Sequence, residues 1–575
     1  MSELLLHPAW PLLIAAVAVR LLPRRPGQVV MLAAPVLALV GVVTLPEGTL
    51  ITAPLMTFEL ELLRVDRLST AFGVVFAIAA LLSGIYGLAT QYTGERSAAL
   101  AYVGAAMGVI YAGDLLTLFL FWELKAITSG FVVLSRRTHR SNRAGLRYLF
   151  FHIAGGKLLL GGMVVQYQTT GSLTFEAFEA GAAGWLVLAA FALSAGVPPL
   201  HAWLKDTYPV ASVAGTVFLS AFTTKAAVYA LIRGFPGAQV LMYLGIIMAV
   251  YGVLYAMLEN DIRRLLSYHI ISQVGFMVTA VGIGTETALN GATAHAFAHI
   301  LYKGLLLMGM GAVLYATGRS RASDLGGVLN RLRPVAVLYM IGAVSISSVP
   351  LFSGYVSKEL IPYAAGQEEL AWLVVALKVV SVGTFLSTGL KLPYATFIGA
   401  RGFGPTTEDG TEPVTVKPIP TSMYVAMGGA AVLNIAIGLY PRLLYDLMPT
   451  AIERPPYVLG HVVEKIQILG MTVLGFWLLF ALLGTKAKIH LDLDWFYRRL
   501  PVLLGARREE YLRARAEAAA TTPGQGPSLR RTAGRAVMTR VFEPAEDGPP
   551  DVVATWALGG VLLATAALLL IVSLL

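Results

Sequence analysis

The chain has 575 residues, 57% of them apolar and only 13% charged, with no cysteine and a formal net charge of +10. Soluble domains carry about 25% charged residues, so this composition indicates a polytopic membrane protein. The missing cysteines exclude disulfides, thiolate metal sites and iron–sulfur ligation, and the basic excess lies in loop arginines, which points to topology rather than nucleic acid.

Apolar runs long enough to cross a bilayer fall near 4–22, 28–44, 68–90, 98–112, 114–134, 147–168, 183–204, 210–234, 238–257, 266–284, 290–316, 336–362, 370–399, 421–440, 466–484 and 552–575. The first run lacks a basic leader and an A-x-A site, which predicts a retained span. Arg20, Arg24 and Arg25 follow run one, and Arg136, Arg137, Arg140 and Arg143 follow run five. Arg263 and Arg264 follow run nine; Arg319, Arg321, Arg331 and Arg333 follow run eleven. All are odd-numbered, so one assignment places every cluster on the cytoplasmic side and the N-terminus outside. The long polar stretch, 485–551, reads as a basic linker that can form a surface helix before the last run.

An internal repeat is visible. Run six reads FFHIAGGKLLLGG and run eleven AHILYKGLLLMG, each a His and then a Lys before leucines. Run seven carries GVPPLH and run twelve SVPLFSG, so Pro198, Pro199 and Pro350 predict helix breaks inside the membrane. Runs four to eight therefore echo runs nine to thirteen. An odd number of spans per repeat forces opposite orientations, giving two inverted five-helix repeats.

Ionisable residues inside these runs are the candidate functional groups, because a charge in the bilayer costs roughly 2.5–3.5 kcal/mol and normally faces a partner or a wet cavity. His295, His299 and Lys303 stand four apart and form one stripe along a helix. Glu123, Lys157, Lys225, Lys358 and Lys378 repeat the pattern on other runs. Two His at i, i+4 can ligate zinc, but there is no HExxH, and the nearby ammonium opposes a cation. A proton relay fits better, since His and a desolvated Lys can both change charge. Lys125 points away from Glu123 and reads as a packing or snorkelling residue. Glu359 offers Lys358 a plain salt bridge as an alternative, and Lys378 and Lys391 can snorkel.

FLFWELKAITSGF, PPLHAWLKDTYPVASVAGTVFLSAFTTKAAVYALIR, LLSYHIISQVGFMV, HAFAHILYKGLLLMGMGAV and VPLFSGYVSKE together closely resemble the antiporter-like subunits of complex I, membrane-bound hydrogenases and Mrp-type multisubunit cation/proton antiporters. Within that group the chain resembles the D-type component of the Mrp antiporters, over roughly residues 65–440. The resemblance implies an all-α membrane fold of about fourteen core helices with broken helices. It also implies a polar axis through Glu123, Lys225, His295, His299, Lys303 and Lys358. One position departs: Ser194 stands where the family usually has a broken-helix lysine. Lys157 or Lys205 is the expected substitute partner for Glu123.

The expected organisation is N-terminal helices over 1–97, a first repeat over 98–234 and a second over 238–399. C-terminal helices follow over 400–484, then the linker 485–551 and a final helix over 552–575. The expected function is proton translocation in a multisubunit Na+/H+ antiporter of the cell inner membrane. It would work without a cofactor, metal or nucleic acid, and with other membrane subunits as partners. The alternatives are a proton-pumping subunit of a complex I-like dehydrogenase or hydrogenase, and a membrane partner in a bicarbonate-uptake complex.

Overall fold

The computed structural model describes residues 7–55, 58–399 and 416–478, together with 492, 507 and 509–513. Two units are distinguished, Met1–Lys488 and Ile489–Leu575. The first is described below; in the second, 507 and 509–513 are helical.

Within the described residues every apolar run becomes helix; run 552–575 lies outside them. In chain order these are α1 (Trp10–Leu21), α2 (Arg24–Thr44), α3 (Arg67–Gly87), α4 (Thr93–Tyr111), α5 (Leu115–Leu134) and α6 (His139–Thr170). Run seven divides into α7 (Ala182–Ala195) and α8 (Ala202–Thr207), and α9 is Val213–Gly234. The second half has α10 (Gln239–Leu258), α11 (Ile262–Ile283) and α12 (Glu286–Thr317). Run twelve divides into α13 (Arg333–Ile346), α14 (Ser353–Lys358) and α15 (Leu360–Gln367). Run thirteen is α16 (Ala371–Thr384) continued by two π-helical stretches, Phe385–Lys391 and Tyr394–Ile398. α17 (Thr421–Leu439), α18 (Arg442–Tyr445) and α19 (Leu459–Leu478) complete the unit. Eleven helices among the described residues are long and apolar enough to cross a membrane, as befits a multi-pass membrane protein.

One element lies outside the apolar pattern. Between α2 and α3 is an antiparallel hairpin, β1 (Gly48–Leu55) with β2 (Phe58–Val65), registered Gly48 to Val65 and Leu55 to Phe58. In its second strand Glu59 is exposed, while Leu60, Leu63 and Val65 are buried.

The repeat is written in the helix caps. Asp114 caps α5 by accepting from the Leu116 and Thr117 amides, and Asp261 caps α11 through Arg263 and Arg264. Both also bridge to the chain after the next helix, Asp114 to Thr174 and Asp261 to Arg321. α6 and α12 each have 32 residues, a threonine N-cap and a left-handed glycine C-cap, Gly171 and Gly318. α7 and α13 have 14 residues each, and a six-residue helix follows each break.

The breaks leave backbone groups that must be satisfied inside protein. Trp203 Nε1 donates to the Leu193 carbonyl at 3.0 Å across the first break. At the second, Ser345 and Ser353 both bond Asn434 of α17, at 3.2 and 2.6 Å, and Ser348 and Leu351 are left-handed. Arginines from two of the loop clusters meet on one turn: Arg136 donates to the Val210 and Ala211 carbonyls, and Arg263 to those of Tyr208, Ala211 and Ser212. Arg263 is enclosed, so it fixes the chain after α8 as well as marking topology. α10 and α11 pack backbone to backbone: a Cβ on Gly245 would lie 2.3 Å from the Thr279 amide. Enclosed by these layers, α9, α11 and α12 form the core.

Candidate functional site

At one end of the site, α5 and α6 bring Glu123 and Lys157 together, with Oε1 and Nζ 3.6 Å apart. The carboxylate fits because the neighbouring residue on α6 is Gly156. Of the two expected substitutes, Lys157 is thus the one beside Glu123. Lys205 is not: it lies 3.5 Å from Asp206, which Arg147 approaches equally closely. Ser194, in the last turn of α7, is fully buried and stands 3.3 Å from His152 Nδ1 on α6. Pro198 and Pro199 lie in the segment between α7 and α8, and Pro350 in that between α13 and α14.

A chain of hydroxyls crosses from this end toward α9. Tyr148 donates to Ser129 at 2.8 Å and lies 3.0 Å from Thr223, which is also 2.5 Å from Tyr102. Two residues on, Lys225 is fully buried and its Nζ donates to the Ser220 carbonyl at 2.7 Å.

Beyond Lys225, α12 presents His295, His299 and Lys303, all fully buried. The His295 and His299 ring centroids are 6.1 Å apart, and Tyr302 lies 3.5 Å from His295 Nε2. Both His299 nitrogens and the Lys303 ammonium have no hydrogen-bond partner among the described residues. From α11, His269 Nε2 reaches Ser387 at 2.7 Å. At the far end Lys358 Nζ bonds Ser381 at 3.0 Å and lies 4.7 Å from the Phe276 ring centroid.

The carboxylate beside Lys358 is otherwise engaged. Glu359 Oε1 lies 2.5 Å from Lys465 of α19, and the Glu359 carbonyl accepts from Arg454. The plain Lys358–Glu359 bridge is therefore not formed. Lys378 pairs with Glu464 and is partly exposed, while Lys391 donates to the Met257 carbonyl at 2.5 Å. Neither joins the buried cluster. Lys225, Lys303, Lys358 and the three histidines thus share an apolar interior with no paired carboxylate among them.

Residues 112–387 match the family described as NADH:quinone oxidoreductase/Mrp antiporter, transmembrane. That segment of the chain is similar to this antiporter-like family. Hydrogenase-4 component B of Escherichia coli K12 is 27% identical over 433 residues, covering 67% of this chain and 63% of that protein. The D-type component of the Na(+)/H(+) antiporter of Alkalihalophilus pseudofirmus is 32% identical over 281 residues, 45% of this chain and 56% of the relative. The match thus spans less than two thirds of either relative. A chain from the structure of the Mrp complex of Dietzia sp. DQ12-45-1b superposes with a TM-score of 0.65 at 23% identity. It covers 83% of this chain and 98% of that chain, a likeness of fold.

Lys125, His152 and His269 are among the enclosed ionisable residues that lie outside the candidate set the sequence suggests. The signal that finds them is the one used for the others, an ionisable side chain within an apolar helix. The repeat also marks His152, which precedes the α6 leucines as His299 precedes those of α12.

Proposed function

We propose that this chain is a proton-translocating membrane subunit of a multisubunit monovalent cation/proton antiporter in the cell inner membrane, exchanging external protons for internal sodium. The observation that carries this reading is a succession of ionisable groups within the helices, half-buried at Glu123 and Lys157 and buried from Lys225 through His295, His299 and Lys303 to Lys358. Glu123 and Lys157 form the entry pair. Lys225 and Lys303 hold the middle protons, His295 and His299 exchange them, and Lys358 is the terminal site. Two unit charges about 7 Å apart interact by on the order of 2 kcal/mol at an effective dielectric near 20. Moving one proton therefore shifts its neighbour's occupancy by more than roughly tenfold, which passes a signal along the axis without covalent chemistry.

A component of an Na(+)/H(+) antiporter is among the relatives, which favours sodium exchange. The longer match to a hydrogenase component favours a second reading, a pump arm driven by a redox partner. A gentle-detergent pull-down of the tagged chain with mass spectrometry separates the two. Small membrane subunits without redox cofactors are expected; flavin or iron–sulfur partners overturn the antiporter reading.

A further inference from the structure

Lys125 stands two residues past Glu123 on α5 and faces the bundle, with none of its surface exposed. Its Nζ has no hydrogen-bond partner among the described residues and lies 3.5 Å from the Trp122 ring centroid. A ring face offers an ammonium only a small part of what water supplies, so packing does not account for a charge at this position.

Its surroundings do. Glu123 stands two residues back on α5, and α6, which packs against α5, carries His152. His152 Nδ1 faces Ser194, and its Nε2 has no partner among the described residues. Tyr148, one turn back on α6, stacks on His152 with ring centroids 4.2 Å apart. The same Tyr148 donates to Ser129, which bonds the Lys125 carbonyl at 2.6 Å, and touches Thr223, two residues before Lys225. Lys125 thus stands where the Glu123 end meets the hydroxyl chain leading to Lys225. Lys157 is more exposed and lies against the carboxylate, and Lys205 is held by Asp206.

We propose that Lys125 is a proton-carrying residue of this chain, receiving protons from the Glu123–Lys157 pair and passing them by way of His152 toward Lys225. The inference rests on the proton-translocating reading above. In the forward step the Lys125 ammonium loses one N–H proton and His152 Nε2 gains it. The neutral amine is then reprotonated from the Glu123 side, and no electron changes hands.

The test is proton transport by the assembled complex in membrane vesicles, with assembly checked by pull-down. Lys125→Met keeps the side-chain length and removes a charge without a hydrogen-bond partner, so a packing role leaves assembly and transport unchanged. Lys125→Arg keeps a charge that cannot be given up. The proposal expects both variants to assemble and to transport at least roughly tenfold more slowly, the effect of one pK unit on proton occupancy. It further expects Lys125→Met combined with Ser194→Lys to regain much of the rate, because Ser194 faces the same imidazole. Wild-type transport by Lys125→Met, or by Lys125→Arg, overturns the proposal, provided Lys303→Met is inactive. If Lys303→Met also transports normally, the functional reading itself has failed.

Discussion

A Cβ on Gly156 would lie 1.7 Å from Glu123 Oε1, so the carboxylate occupies ground that only a glycine leaves open. The obstruction would meet the end of a flexible side chain, so Gly156→Ala can be accommodated by swinging Glu123 aside. Assembly and thermal stability are expected to change little, by about 1 kcal/mol or less. Transport is expected to fall by roughly tenfold to a hundredfold, the cost of moving a reacting group by about 1 Å. Proton flux in vesicles, set against the melting temperature of the same preparation, checks the dissociation of the two effects.

Lys157 is the partner Glu123 has, 3.6 Å away. Lys157→Met should slow transport while leaving the complex assembled, and Glu123→Gln in the same background should add little, since the two act as a pair. A Lys157→Met variant at full rate beside an inactive Lys303→Met would remove Lys157 from the pathway.

How much of this is legible in the sequence depends on how far each group's partner lies along the chain. The stripe His295, His299 and Lys303 can be read from spacing alone, because a helix places i, i+4 and i+8 together. The broken helices can be read from Pro199 and Pro350. Lys125 is easily misjudged for a physical reason: the exposed face of α5, with Leu120, Ile127 and Phe131, is the one that carries Glu123, so pointing away from Glu123 means pointing into the bundle. The engagement of Glu359 is invisible, because Lys465 reaches it from α19, far along the chain. The hairpin is readable in principle from the alternation around Glu59 and Glu61, but a search for long apolar runs passes over short strands.

Lys465 and Glu359 form a largely buried ion pair, and removing one partner leaves the other charge poorly solvated. Lys465→Met is expected to destabilise the protein by about 1–3 kcal/mol. It also frees Glu359 to attract the Lys358 ammonium, which should slow transport. The exchange Glu359→Lys with Lys465→Glu should restore stability without restoring transport, because it sets a second ammonium beside Lys358. Thermal unfolding and vesicle assays of the two variants check both parts.

Outside the spans, Asp66 caps α3 and pairs with Arg233 at 2.5 Å. Burial works against its charged form, but Arg233 and the Ser69 amide outweigh it and hold the carboxyl below the usual range. A depressed carboxyl contributes stability above its unfolded value, and that contribution is lost as pH falls through the folded one. Asp66→Asn keeps a good N-cap. Its melting temperature should therefore lie below wild type at pH 7, with the gap closing below about pH 4. A gap independent of pH would show that the ion pair contributes nothing.

The central claim is that the buried axis carries protons against a counter-cation. The direct measurement is sodium-induced movement of protons in inverted vesicles containing the whole complex, comparing wild type with Lys225→Met and Lys303→Met. The account predicts a sodium-dependent pH change in the wild type that both variants abolish while still assembling. Unchanged sodium-driven proton movement in either variant would contradict it.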